Sequence, residues 1–220
     1  MEKIIEQVQA WNMLGKLPKE FVGFTLTLEL EKRDTQYCIF TYKNEGRHRS
    51  FSVLYDHATK EYFARTVIGL MEYYDVNFIV GDIQQLESLL VERLRAVLTS
   101  LASFTRENLD SILLDKKVIE WPYNKELQQQ LFGFELFIRP DEPIKIINGS
   151  YIILDYSDFK TESNLAIYYN IFRDEFFGET RIRRTPTMAA VFDAKNLDDL
   201  QEALASHLTS VLESLRAQID

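Results

Sequence analysis

The sequence is poor in the residues that most often mark chemistry or an extracellular origin. It has one cysteine among 220 residues, Cys38, so no disulfide can form within the chain. It has three histidines, and it lacks the glycine-rich, zinc-binding and nucleophile motifs of the common enzyme families. These absences remove the common reasons for proposing an enzyme, and we expect no cofactor and no bound metal.

Long apolar runs and an excess of positive charge are also missing. No stretch of about 18 apolar residues is present, and residues 1–6 lack the apolar core of a signal peptide. Acidic residues outnumber basic residues by 34 to 25, which gives a formal net charge of −9. A field of that sign repels nucleic acids and anionic lipid surfaces. We expect a cytoplasmic protein that binds neither nucleic acid nor membrane.

The pattern of one amphipathic helix occurs twice in the chain. Apolar residues of the segment 82–101 recur 114 positions later, in the segment 196–215. The matched residues are Leu86, Leu90, Leu94, Val97, Leu98 and Leu101, followed by Leu200, Leu204, Leu208, Val211, Leu212 and Leu215. Spacings of three and four place each set on one helical stripe, and Asp82 and Asn196 are typical N-cap residues. We predict two long helices, each covering a core.

Alternating apolar and polar residues ahead of each helix predict antiparallel strands. In the first half the predicted strands, the last of them optional, are residues 23–30, 37–42, 51–55, 61–68 and 76–80. The second half repeats this order. Between residues 35–101 and 149–215, 16 of 67 aligned pairs are identical, whereas unrelated chains share roughly four or five. Residues 69–80 and 181–192 fit either a strand or a loop.

These patterns predict an α+β fold built by tandem duplication, with repeats at residues 1–106 and 107–220. Each unit has a short helix, a four- to five-stranded antiparallel sheet and a long C-terminal helix packed on the sheet. This order of elements resembles the layout of type III secretion chaperones, whose homodimer a tandem duplication would mimic. A duplicated saddle like that of the TATA-binding protein is a comparable alternative. The layout implies a protein that works by binding another protein.

Neighbouring aromatic residues occur four times in the chain. The pairs are Tyr62-Phe63, Tyr73-Tyr74, Tyr168-Tyr169 and Phe176-Phe177. Because neighbours in a strand point to opposite faces, one ring of each pair lies on the sheet face away from the helix. Either the two repeats pack sheet to sheet or share one long sheet, or this outer face receives a partner.

Two groups of charged residues are candidate binding positions. Arg181, Arg183 and Arg184 form the densest positive charge, and alternation predicts that Arg181 and Arg183 share a strand face. They could bind phosphate or an acidic peptide, or protect a sheet edge against aggregation. Glu61 and Glu175 are one acidic position kept in both copies. They are solvated residues at strand starts unless they converge for acid–base chemistry.

The sequence thus favours a non-catalytic intracellular binding or adaptor protein with a protein partner or with self-association. It would act through the outer sheet face or the cleft between the units. The alternative is a small-ligand-binding protein or an enzyme with a pocket between the repeats, using Arg183, Arg184 and Glu175. Convergence of these three side chains in a deep pocket would favour the alternative.

Overall fold

The computed structural model describes residues 2–219 and divides the chain into two compact units, Met1–Ser103 and Phe104–Asp220. Each unit combines helices with one antiparallel sheet, which confirms the α+β class. The strands form two separate sheets, so the alternative of one long sheet shared by both halves is wrong.

The first unit is a six-stranded meander flanked by two helices. Its elements in order are α1 (Glu2–Gln9), β1 (Glu20–Phe21), β2 (Phe24–Arg33), β3 (Gln36–Asn44), β4 (Arg49–Asp56), β5 (Glu61–Ile68), β6 (Met71–Val80) and α2 (Ile83–Ala102). Each strand pairs antiparallel with the next one along the chain, so β1 and β6 are the two edges. A 3₁₀ turn, Asn12–Lys16, connects α1 to the sheet.

The second unit has seven strands and a longer final helix. Its elements are α3 (Ser111–Asp115), β7 (Gln130–Leu131), β8 (Phe134–Ile138), β9 (Ile144–Lys145), β10 (Ser150–Asp158), β11 (Ser163–Asn170), β12 (Glu175–Ile182), β13 (Thr185–Met188) and α4 (Leu197–Ile219). The strand order is β13-β12-β11-β10-β8-β7, and the short β9 pairs with β10 beside β8.

The predicted strand count of four or five per unit is wrong, because the sheets have six and seven strands. Three of the additional strands, β1, β7 and β9, have two residues each, which is too short to show alternation. The segments that could have been strand or loop are also resolved. Residues 71–80 form β6, whereas residues 181–192 contain the end of β12, the short β13 and a 3₁₀ turn.

Both long helices form where the sequence predicts them. The Asp82 carboxylate accepts hydrogen bonds from the backbone amides of Gln84 and Gln85, at 2.8 and 2.9 Å. The Asn196 side chain accepts from the amide of Asp199 at 2.8 Å. In each helix the repeated leucines are buried. In the second unit the leucines of α4 share one core with Tyr151, Tyr156, Tyr169 and Phe176 of the sheet.

Candidate functional site

The candidate arginines of the second unit contact different groups. Arg181 pairs with Glu179, and its guanidinium lies 3.4 Å from the hydroxyl of Tyr168. Arg183 donates to the carbonyl of Ile219 at 3.4 Å. Arg184 pairs with Glu162 at 2.5 Å. In these contacts the three arginines bind different groups.

Glu175 belongs to yet another group of charges. It pairs with Arg173 and, at 2.8 Å, with Lys195. These cations lower its pKa, the hydrogen bond from Lys195 most of all. Glu61 is the first residue of β5, where Asp56 is its cross-strand partner. Each glutamate lies at the start of a strand in its own sheet.

Arg183 and Arg184 lie in a turn and not in a strand. They form the two-residue connection between β12 and β13, with φ of 47° and 68°. Two consecutive positive φ angles define a type I′ hairpin turn. The prediction that Arg181 and Arg183 share a strand face is therefore wrong, because the chain reverses immediately after Ile182.

A buried polar cluster lies on the face of the second sheet opposite the α4 core. The Asp155 carboxylate accepts hydrogen bonds from the hydroxyl of Ser157 at 2.5 Å and from the amide of Asn164 at 2.9 Å. Burial raises the pKa of Asp155 to about 6, although both hydrogen bonds and the charge of Arg181 act to lower it. The carbonyl oxygen of Asn164 is buried without a hydrogen-bond partner within residues 2–219.

This cluster is closed to ligands. Asp155 and Asn164 have no exposed surface, and Ser157 and Tyr168 are nearly as buried. The sequence signal for it is a carboxylate within the apolar run of residues 152–156, a pattern that does not by itself indicate a site. Within the part of the chain that the structure describes, no group of three or more histidine, cysteine or acidic side chains could hold a metal ion.

The free edge of β6 is an accessible feature with binding potential. A two-residue turn, Gly69-Leu70, joins β5 to β6 and makes Ile68 and Met71 a hydrogen-bonded pair. Alternation along the ladder then directs the backbone N–H and C=O of Glu72 and Tyr74 away from β5. These groups lack a strand partner because β6 is the last strand of its sheet.

Exposed apolar side chains accompany this free edge. Tyr74 is 38% exposed, Ile79 is 40% exposed and Val76 is 70% exposed. The strand bulges between two of its pairings, Ala64 with Asp75 and Tyr62 with Val80, and this bulge carries Val76. An unpaired strand with exposed apolar residues is a template for pairing with another chain.

The matching edge of the second sheet is closed by a proline. Pro186 has the same place relative to its turn as Glu72, because each is the second residue of the edge strand. By the same alternation, the backbone of Pro186 faces outward, where proline has no N–H to donate. Strand β13 is also only four residues long, against ten for β6.

Comparison of the chain with protein-family models, with curated proteins and with solved structures finds no match in any of the three. No helix within residues 2–219 has the length and apolar character that crossing a membrane requires.

Proposed function

We propose that this protein is a non-catalytic adaptor that binds a partner polypeptide as an added strand on the free edge of β6. The observation that carries the proposal is the open backbone of Glu72 and Tyr74, set beside the proline-closed edge of the second sheet. Strand addition gives affinity through main-chain hydrogen bonds and specificity through alternate side chains. The one cysteine, Cys38, is buried and unpaired, which suits a cytoplasmic adaptor.

The contacts of the residues named for the alternative, a ligand-binding protein or enzyme, do not support it. Arg183, Arg184 and Glu175 each contact different partners and do not converge. The other cluster of polar groups, around Asp155, has no surface open to a substrate.

We also propose that the two units arose by tandem duplication. The supporting feature is the recurrence of unusual backbone at matched positions, 110 or 114 residues apart. Residues with positive φ include Val22, Gly23, His48 and Lys60, matched by Phe132, Gly133, Glu162 and Asp174. A register shift between Cys38 and Phe40 recurs between Ile152 and Leu154. Independent chains would have no reason to place these features in the same order.

Shared tertiary hydrogen bonds support the duplication further. The indole of Trp11 donates to Glu87 at 2.7 Å, and that of Trp121 donates to Gln201 at 3.1 Å. The hydroxyl of Tyr42 donates to the carbonyl of Pro18, and that of Tyr156 to the carbonyl of Gln128, both at 2.7 Å. If the units are copies, their edge strands have diverged: the edge is open in the first unit and closed by a proline in the second.

The test is selection of peptides of about ten residues from a random display library on the full-length protein, followed by anisotropy titrations of the selected peptides. Glu72→Pro removes the outward N–H and keeps every bond to β5, since that N–H does not face β5. The matched control Glu72→Ala removes the side chain and keeps the N–H. We expect Glu72→Pro to lose at least about tenfold in affinity and Glu72→Ala to lose less. Equal binding by Glu72→Pro and wild type, or a library without binders, would overturn the proposal.

A further inference from the structure

The side chains beside the free edge limit what an added strand can carry. On the outer face of the first sheet, β6 presents Glu72 opposite Val67 and Tyr74 opposite Arg65. This face is opposite the one that carries Tyr62, whose hydroxyl lies 3.5 Å from Gln7 of α1. Residues of an added strand would lie about 5 Å from Glu72 and Tyr74, within contact distance.

Glu72 offers an unneutralised negative charge. It is exposed, and it forms no ion pair within residues 2–219. Its cross-strand neighbour on β5 is the apolar Val67. The position opposite Glu72 on an added strand is therefore a place where a cation could pair with it.

Tyr74 sets a different requirement two residues away. Its ring packs edge to face on Phe63, with ring centroids 4.9 Å apart. Its cross-strand neighbour on β5 is the half-buried Arg65. The charge of Arg65 disfavours a second cation opposite Tyr74. An aromatic or β-branched residue there would extend the contact between Tyr74 and Phe63.

We infer that the partner is an extended segment with lysine or arginine opposite Glu72 and an aromatic or β-branched residue opposite Tyr74. This inference depends on the proposed function, because it assigns a chemistry to the strand that β6 accepts. The two residues of the segment are separated by one position, since side chains on one face of a strand alternate. The net charge of −9 also favours a basic partner over an acidic one.

A second copy of this chain fits the edge less well. Strand β6 has the sequence MEYYDVNFIV, which contains no basic residue. Antiparallel self-pairing centred on Tyr73 would place Glu72 opposite Tyr74 of the other copy and bring the two Glu72 side chains close together on one face. Neither carboxylate would gain a cation.

The experiment compares two peptides of about ten residues with alternating threonine and valine, one containing Tyr-Thr-Lys-Thr-Tyr and the other Tyr-Thr-Glu-Thr-Tyr at its centre. In either strand direction the central residue can then lie opposite Glu72 while a tyrosine lies opposite Tyr74. Binding to the full-length wild type, Glu72→Lys and Glu72→Pro is measured by fluorescence anisotropy. We expect wild type to bind the lysine peptide about tenfold more tightly, Glu72→Lys to reverse the preference, and Glu72→Pro to bind neither peptide.

The possible outcomes separate the two proposals. Equal affinity of wild type for both peptides, with binding lost in Glu72→Pro, would overturn the inference and leave strand addition standing. Binding that is unaffected by Glu72→Pro, or absent from wild type, would overturn both. Sedimentation velocity adds a further result. A wild-type dimer that Glu72→Pro converts to monomer would make a second copy the occupant and overturn the inference.

Discussion

The Asp155 side chain makes the stability of this protein depend on pH in an unusual direction. Burial raises its pKa from 3.8 to about 6, even though Ser157 and Asn164 donate hydrogen bonds to the carboxylate and Arg181 lies nearby. A group whose pKa is raised by folding stabilises the folded state fully below its unfolded pKa. That stabilisation is lost as the pH rises through the folded value.

We expect Asp155→Asn to remove this pH dependence. Between about pH 4 and pH 7 the free energy of unfolding of the wild type should lose about 2 kcal/mol relative to the variant. The amide of the variant can accept one of the existing hydrogen bonds and, after rotation of the Asn164 amide, donate to its unpartnered oxygen. Urea denaturation at several pH values measures the difference.

Asp110→Asn is the control with the opposite sign. Lys145, at 2.8 Å, and the Tyr151 hydroxyl lower the pKa of Asp110. Asp110 therefore stabilises the fold above its ordinary pKa, and its contribution disappears as the pH falls. Parallel curves for wild type and Asp155→Asn from about pH 4 to pH 7 would contradict the role given to Asp155.

At the scale of elements, the turn of the β12–β13 hairpin has backbone strain that other residues at the same positions would relieve. Arg183 and Arg184 have positive φ, a conformation that costs roughly 1 kcal/mol for ordinary residues. We expect the double substitution Arg183→Asn, Arg184→Gly to raise the free energy of unfolding by about 1 kcal/mol, because Asn-Gly is the preferred type I′ sequence. The lost ion pair between Arg184 and Glu162 is well exposed and contributes little.

Urea denaturation measures the effect on this hairpin, and Arg183→Lys, Arg184→Lys is the matched control. Lysine keeps the charge and the backbone strain, so the control should leave stability nearly unchanged. A less stable Asn-Gly variant would show that the arginine side chains contribute more than the turn conformation costs.

Regular elements could be predicted from the sequence where their periodicity is undisturbed. Helix α2 and strands β3, β4 and β5 each contain the segment expected from alternation or helical spacing. Strand β6 could not be assigned, because its bulge interrupts alternation between Asp75 and Val80. The edge at Glu72 was missed for the same reason, since its importance depends on that strand being the last in its sheet.

Candidate sites based on sequence proximity were less successful. Arg181, Arg183 and Arg184 are close along the chain, but a turn separates their side chains into different environments. The sequence does not identify Asp155 as a site, because the surrounding run, Ile152 to Tyr156, indicates only a buried strand. Partners that come from other strands, such as Asn164, are set by register and not by spacing.

For the molecule as a whole, the proposed duplication would make the two tryptophan contacts a matched pair. Trp11 donates to a carboxylate oxygen of Glu87, and Trp121 donates to an amide oxygen of Gln201. Either acceptor suits an indole N–H. We therefore expect the exchanges Glu87→Gln and Gln201→Glu to change the free energy of unfolding by less than about 0.5 kcal/mol, as urea denaturation would measure.

The alanine variants at these two positions give the contrast. Glu87→Ala and Gln201→Ala leave the indole N–H unpaired in a partly buried position, so each should cost about 1 kcal/mol. If Glu87→Gln were as damaging as Glu87→Ala, the charge of Glu87 would be essential, and the two contacts would not be equivalent.

The net charge of −9 attracts a basic partner before the two molecules come into contact. We expect the association rate constant of the lysine peptide to fall about tenfold as salt rises from about 0.02 M to about 0.5 M, since the screening length falls well below the size of the protein. Glu72→Ala removes one of the 34 acidic side chains, so most of this salt dependence should persist while dissociation becomes faster. Stopped-flow fluorescence separates the two rates.

An association rate independent of salt would mean that the surface charge does not steer the partner. A salt dependence abolished by Glu72→Ala would assign the attraction to that one carboxylate.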